Sequence, residues 1–390
     1  MTDLAIITEE FRPSKKGGIA TWAHGLALYF GEKNEYNVTV FVKKRGGINQ
    51  KTLSPKLPFK LILMGGRDWS KFKKWYISHY LKKYIKKSQN PVIISATWEL
   101  AQGILRYKKK YPFSLITVLH GLEVTRLNSQ KYNKRIPQFQ NVLKYSNQII
   151  TVSNYTKMEA LSIGGDHKIE TIPNFVDTND FYPESKTNCR RHFKFDQNEK
   201  ILLTLSRLVK RKGHAIVINA LPAVKETFPN IKYVIAGDGD QSYKEELKQL
   251  VVELGLESNV LFLGYIHEDQ KRLLYNACDI YIMNSMATNE KGDSEGFGIT
   301  FLEANACGIP VIGTTSGGIG NAIKNRVNGL MVSPNSPVET SNAILDLFND
   351  SPLYSEISLS AVSRVNKQFS LSHIGEKYQQ IISSLYTSQW

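Results

Sequence analysis

Cysteine is scarce. The 390 residues hold three, Cys189, Cys278 and Cys307, an odd number set far apart. That spacing suits neither a disulfide framework nor a zinc site and points to a reducing compartment. Long apolar runs are missing too: no stretch reaches the ~20 residues that a bilayer span needs. The opening Met1-Thr2-Asp3-Leu4 has no basic segment followed by an apolar one, so no secretory signal and a cytoplasmic location are expected. Acidic residues are in deficit, 35 against 50 Lys and Arg, a formal charge of +15. Such an excess suits nucleic acid, an anionic membrane surface or a polyphosphate ligand. Much of it lies before residue 112, in runs such as Lys82-Lys83, Lys86-Lys87 and Lys108-Lys109-Lys110.

What is present is alternation. Short runs of Ile, Leu and Val at Leu4–Thr8, Val38–Val42, Leu61–Met64, Val92–Ser95, Leu115–Leu119 and Ile149–Val152 read as buried strands separated by segments of helical spacing. The pattern fades over Asp177–Lys200. It restarts with Ile201–Leu205, Tyr233–Ala236, Val260–Leu263, Ile280–Met283, Val311–Ile312 and Leu330–Val332. The expectation is an α/β protein with two doubly wound Rossmann-like domains facing a cleft, 1–178 and 179–370. The segment past Phe369 reads as a final helix. The first strand is not followed by Gly-x-Gly-x-x-Gly. Its turn reads Phe11-Arg12-Pro13-Ser14-Lys15-Lys16-Gly17-Gly18, which disfavours nicotinamide chemistry. A glycine pair before a helix lets backbone N–H groups approach a phosphate or sugar, and an ordinary turn is the plain alternative.

Two segments of the second half carry candidate chemistry. Ser206-Arg207-Leu208-Val209-Lys210-Arg211-Lys212-Gly213 follows a strand, where open α/β sheets bind ligands. Arg207 and Lys212 suit a diphosphate there, and a solvated basic loop is the bland reading. Glu295-Gly296-Phe297-Gly298-Ile299 leads into a helix-forming run ending at Glu303. Free N–H groups at such a helix start attract an anion, and carboxylates accept from sugar hydroxyls.

With Ala236-Gly237-Asp238-Gly239, Phe262-Leu263-Gly264, Ala277-Cys278-Asp279 and two glutamates with seven residues between them, these segments resemble the retaining glycosyltransferases of family 4, which have the GT-B fold and often return their last helix, here 371–390, to the first domain. Thr117–Val124, containing His120-Gly121, looks like the His-Gly segment of the phosphatidylinositol mannosyltransferase branch. The resemblance implies a nucleotide-diphosphate sugar donor, GDP- or UDP-linked, and no separate cofactor. Arg207 and Lys212 would hold the diphosphate, Glu303 the ribose and Glu295 the transferred sugar. The backbone of Gly296, Phe297, Gly298 and Ile299 would meet the phosphates. Gly17 and Gly18 would close over the donor, and His120 would hydrogen-bond its sugar near the anomeric centre. The acceptor implied is a lipid-linked saccharide or glycan of cell-surface polysaccharide, lipopolysaccharide or glycolipid assembly. Sugar-nucleotide epimerases share the fold, and a non-catalytic nucleotide-sugar binder is a further alternative.

Three more segments each admit two readings. Asp238-Gly239-Asp240 spells a metal-binding triplet of another fold, but after a strand it reads as a turn, and no metal is expected. Gly313–Ile319 is a second glycine-rich loop, placed by the resemblance beside the donor; its glycines equally suit tight packing. The stretch 69–88 interleaves Trp69, Phe72, Tyr76, Tyr80 and Tyr84 with lysines. Most aromatics inward and lysines in water is the expected arrangement, with Trp75 and the lysines left to meet an anionic membrane from the cytoplasmic side. No nucleic-acid partner is expected.

Overall fold

The computed structural model describes residues 1–12, 17–44, 57–65, 69–129, 131–164, 169–287 and 293–387. Pro13, Ser14, Lys15 and Lys16 of the first turn, and 388–390 of the final helix, lie outside the described residues. The chain divides into two compact units. One is Met1–Asn174 with the segment from Leu371 onward; the other is Phe175–Ser370. The sequence pattern put this break after 178; the contacts put it after 174.

The first unit holds seven parallel strands: β1 (Thr2–Thr8), β2 (Tyr36–Lys43), β3 (Lys60–Met64), β4 (Val92–Ser95), β5 (Ser114–Leu119), β6 (Gln148–Thr151) and β7 (Ile169–Thr171). Their order across the sheet is β3-β2-β1-β4-β5-β6-β7. The second unit holds β8 (Lys200–Leu205), β9 (Ile231–Ala236), β10 (Val260–Gly264), β11 (Ile280–Met283), β12 (Val311–Thr314) and β13 (Gly329–Val332). They run β10-β9-β8-β11-β12-β13, again parallel. Helices cover both faces of such a sheet, so its strands are apolar throughout rather than alternating. Leu4, Ala5, Ile6 and Ile7 of β1 are fully buried, as are Leu202 and Leu203 of β8.

Each sheet reverses direction of winding once, between β1 and β4 and between β8 and β11. At such a switch point the loops leaving the two strands splay apart and open a crevice at the strands' carboxyl ends. The fold therefore names Ser206–Gly213, after β8, and the chain after Met283 as the place to look in the second unit.

The helix Trp69–Lys87 corrects one expectation. Its buried seam is mainly aliphatic, Ile77, Leu81 and Ile85, each four residues from the next, with Trp69 buried at the start of the helix. Tyr76, Tyr80 and Tyr84 are half-buried at the seam's flanks, and Phe72 and Trp75 are 45% and 56% exposed. Three aliphatic residues at helical spacing, with Trp69, seat the helix, which leaves Phe72 and Trp75 outside. Among the described residues no helix is long and apolar enough to cross a membrane.

Candidate active site

The β8 loop is held in place by glycines that no other residue replaces. A Cβ on Gly237 would sit 2.0 Å from Ser206 O, and one on Gly239 2.2 Å from Leu208 O. The two loops therefore run in contact, tied by Leu208 N–H to Asp238 O at 3.1 Å and Asp240 N–H to Leu208 O at 3.0 Å. Gly213, at φ +73, lies against the end of β11, where a Cβ would be 1.9 Å from Asn284 O. This contact joins the two strands of the switch point and turns Lys210–Lys212 back over them.

Lys212 then meets Glu295. Its Nζ lies 2.6 Å from Glu295 Oε2, and Arg211 reaches the same oxygen at 3.0 Å. All three side chains are 11 to 15% exposed. Burial would raise the Glu295 carboxyl, but the charges and hydrogen bonds of Lys212 and Arg211 outweigh it and hold it down at about 2. Burial lowers Lys212 against the opposing pull of Glu295. Arg207 is exposed and its side chain has no partner among the described residues, yet its positive charge reaches Lys212. Three cations around one carboxylate leave the loop positive, as a diphosphate site requires.

The glycine-rich loop after β12 fixes Glu295 from the other side. Gly318 N–H donates to Glu295 O at 2.8 Å, and at Gly317, φ +61, a Cβ would stand 2.4 Å from that oxygen. Its role is close backbone packing that sets the glutamate. Gly298, at φ +93, caps the helix Ile299–Ala306, with a Cβ position 2.6 Å from the Phe301 ring. The first N–H groups of a helix have no partner within it and present a positive end. Phe297 is 2% exposed and packs its ring near Phe369, so only its backbone is offered to a ligand.

Glu303 belongs to a different cluster. It is 2% exposed, accepts from Tyr275 OH at 2.7 Å, and stands 3.9 Å from Lys271 Nζ. Asp279, part of the sequence pattern, is a structural tie: it pairs with Arg190 and Lys186 at 2.8 Å each and accepts Ile201 N–H at 2.7 Å. Asp240 caps the helix Gln241–Glu253 through Ser242 N–H at 2.9 Å, which accounts for the acidic triplet. Among the described residues no group of three or more His, Cys, Asp or Glu is placed to hold a metal ion.

The remaining candidates are in the first unit. Gly17, at φ +138, and Gly18 are exposed at the start of the helix Gly18–Gly31. His120 directly follows β5, with its ring edge-on to Trp22 at 5.0 Å between centroids. Its Nε2 is buried without a partner among the described residues, and burial holds the ring neutral, at about 3. Sequence reasoning singled out Lys212 and missed Arg211 beside it, because adjacent basic residues carry no signal of which one turns inward. Tyr275, the partner of Glu303, was also invisible: it lies 28 positions away.

Two family models divide the chain between them. "Glycosyltransferase Family 4" matches residues 16–180 and "Glycosyl transferases group 1" matches 185–363. A GDP-mannose-dependent monoacylated alpha-(1-6)-phosphatidylinositol monomannoside mannosyltransferase of Corynebacterium glutamicum is 26% identical over 97% of both chains. An uncharacterized glycosyltransferase of Methanocaldococcus jannaschii is 34% identical over 56% of each chain. A Mycobacterium tuberculosis GDP-mannose-dependent alpha-(1-6)-phosphatidylinositol monomannoside mannosyltransferase is 32% identical over 51% of this chain and 52% of its own. The last two alignments thus span about half the length of those relatives. Among solved structures, sucrose-phosphate synthase from Thermosynechococcus elongatus is 20% identical with a TM-score of 0.84 over 100% of both chains. Anabaena HepE, in complex with UDP-glucose, is 21% identical with a TM-score of 0.80 over 98% of this chain and 100% of that one. At these identities the structures speak for the fold alone, two parallel-sheet α/β domains of the GT-B type. By its two family matches and this fold, the chain belongs to glycosyltransferase family 4.

Proposed function

We propose that the protein moves a hexose from a nucleotide-diphosphate sugar to a lipid-linked or glycan acceptor, with retention at the anomeric carbon and without a metal. The observation that carries this reading is the Lys212–Glu295–Arg211 cluster at the β8–β11 switch point, beside the N-terminus of Ile299–Ala306. Breaking a glycosyl–phosphate bond leaves negative charge on the departing diphosphate. Fixed cations and N–H dipoles stabilise that charge without reorganising as it forms.

The roles follow from charge and placement. Arg207, unpaired, and Lys212 would bind the diphosphate, with Arg211 left to neutralise Glu295. Glu295, held ionised, would accept from hydroxyls of the transferred sugar, and Glu303 from those of the ribose. His120, neutral and with Nε2 open, would exchange a hydrogen bond with the donor sugar, and Gly17 and Gly18 would close on it. Front-face attack suits this set: the acceptor oxygen bonds to the anomeric carbon on the side the phosphate leaves, and the departing phosphate oxygen takes the acceptor's proton. GDP-mannose is supported by the names of the Corynebacterium and Mycobacterium relatives, and a UDP-hexose by the HepE complexes with UDP and UDP-glucose. Exposed Phe72, Trp75 and neighbouring lysines support an acceptor met at an anionic membrane surface, in cell-surface polysaccharide or glycolipid assembly.

A thermal-shift panel of GDP, UDP and ADP sugars tests the donor site, since a ligand of the folded state raises the melting temperature by mass action. One nucleotide series is expected to stabilise the wild type and to lose that effect in Lys212→Ala. Stabilisation by nucleic acid and by no sugar nucleotide would sink the proposal. Product formed from donor alone, with no acceptor present, would mark an epimerase instead.

A further inference from the structure

Glu123 has no part in the donor chemistry above, yet it holds the residue that does. It lies just past β5, where Gly121, at φ +113, turns the chain and Leu122–Thr125 forms one helical turn. The Glu123 carboxylate folds back, and its Oε1 accepts the backbone N–H of His120. The turn is pinned further. Val124 and Thr125 N–H reach Gly121 O at 2.8 and 2.9 Å, and the Trp98 indole N–H donates to Glu123 O at 2.9 Å. Beyond His120, the Trp22 ring that its imidazole abuts is tied to Tyr378 OH at 3.2 Å. An imidazole nitrogen buried without a partner is costly unless a ligand completes it, so this arrangement keeps Nε2 in one direction for a purpose.

We infer that Glu123 is a positioning residue: its carboxylate fixes the His120 backbone and so aims the imidazole, and protonation of that carboxylate loosens the hold. The inference rests on the role proposed for His120.

The charged surroundings make this a switch within the physiological range. Burial first, then the charge of Glu99, raises the Glu123 carboxyl, and backbone N–H groups of His120, Glu123 and Gly121 pull it part of the way back, to about 7. Glu99 stands on the helix Trp98–Ala101 and pairs with Arg135 at 3.5 Å. The helix Asn154–Gly164, packed on the same turn, carries Lys157 and Glu159, and Arg126 follows the turn directly. His120 keeps its neutral form across this range, because its own titration lies at about 3. A pH response of the ring near neutrality therefore reports Glu123 and not the ring itself. Below the midpoint the carboxyl is protonated and a weaker acceptor; above it the anion grips the N–H more strongly.

The test labels histidine with carbon-13 at Cε1 in the full chain and follows the ring resonances from about pH 5 to about 9. His120→Ala deletes one resonance and so identifies it. In the wild type that resonance is expected to shift with a midpoint near 7, and in Glu123→Gln, which keeps an acceptor but cannot ionise, the midpoint disappears. Glu123→Ala, which removes the hydrogen-bond acceptor, is expected to lower kcat for nucleotide release from GDP-mannose or UDP-glucose, with a membrane-lipid extract supplied as sugar acceptor, about tenfold, with KM within about twofold. Melting curves of both variants establish that they fold, and Glu123→Asp, which restores the charge, is expected to recover the pH midpoint. A midpoint that persists in Glu123→Gln, or is absent from the wild type, overturns the inference. Impairment by His120→Ala with none by Glu123→Ala overturns it alone. No impairment by His120→Ala overturns the His120 reading and this one together.

Discussion

Glu295 shows how one side chain ties stability to the proposed chemistry. Its carboxyl sits at about 2 in the folded protein against 4.5 for the free group, because Lys212 and Arg211 hold the anion more strongly than burial penalises it. A depressed acid contributes stability that is fully present above the unfolded value and is lost as pH falls through the folded one. Between about pH 4.5 and about 2, then, folding loses on the order of 3 kcal/mol from this group. Acid unfolding monitored by circular dichroism should show that loss in the wild type and not in Glu295→Gln; identical acid profiles would refute the pairing. At neutral pH Glu295→Gln leaves two facing cations unneutralised, and an expected cost of about 1–3 kcal/mol should appear in urea unfolding. Of this site the sequence showed the residue types and their order, and Lys212 and Glu295 were both named from it. It could not show that Arg211 joins them while Arg207 points to solvent, since that is decided by the turn Lys210–Lys212 against Asn284. Nor could it separate Glu303 from Glu295, whose spacing suggests one site and whose partners prove to be different.

Among the elements, strands were the legible part. Parallel strands buried on both faces must be near-continuous Ile, Leu and Val, and runs such as Val92–Ser95 and Ile280–Met283 announce themselves. β7 did not, because Ile169-Glu170-Thr171 buries one side chain firmly and is too short to form a run. The helix Trp69–Lys87 misled in a more useful way. Counting aromatics at helical spacing placed most of them inward, and Trp69 is buried, but Ile77, Leu81 and Ile85 fill the rest of that face. Trp75 instead stacks on His79 at 5.2 Å and stands exposed beside Phe72, with Lys71 over the Phe72 ring at 5.4 Å. Exposed rings among lysines suit the interface of an anionic leaflet, where each Lys contributes about 1 kcal/mol and aromatics settle at headgroup depth. Sedimentation with phosphatidylserine vesicles should therefore capture the protein, and phosphatidylcholine vesicles should not. Reversing Lys82 and Lys83 to Glu should weaken capture at least about tenfold, as should moderate salt. Equal binding to both lipids, or full binding by Trp75→Ala, would show that this face is ordinary solvated surface.

At the scale of the whole chain, the longest connection is the return of the last helix. Leu371–Thr387 groups with Met1–Asn174, although nearly two hundred residues of another compact unit lie between them. Its amphipathic spacing signalled a helix, but no local pattern reveals its partner: Trp22 and Tyr378 are 356 positions apart. The contact is close as well as distant. A Cβ on Gly375 would lie 2.6 Å from atoms of the Tyr29 ring, so the helix docks on Gly18–Gly31 through a position with no side chain. Tyr378 is 1% exposed and its hydroxyl accepts the Trp22 indole N–H at 3.2 Å. Tyr378→Phe keeps the ring and strips that acceptor, leaving a buried N–H unpaired at a cost of about 1–3 kcal/mol. Gly375→Ala, by forcing the helices apart, should cost about as much through overpacking. Both lesions belong to the unit built on β1–β7. Hydrogen exchange is expected to speed up in Gly18–Gly31 and Leu371–Thr387 while the amides of β8 and β9 keep their protection. The proposed aim of His120, which abuts the same Trp22 ring, predicts in addition that Tyr378→Phe moves the His120 resonance; an unmoved resonance, or protection lost equally from β8, would contradict a docking contact confined to the first unit.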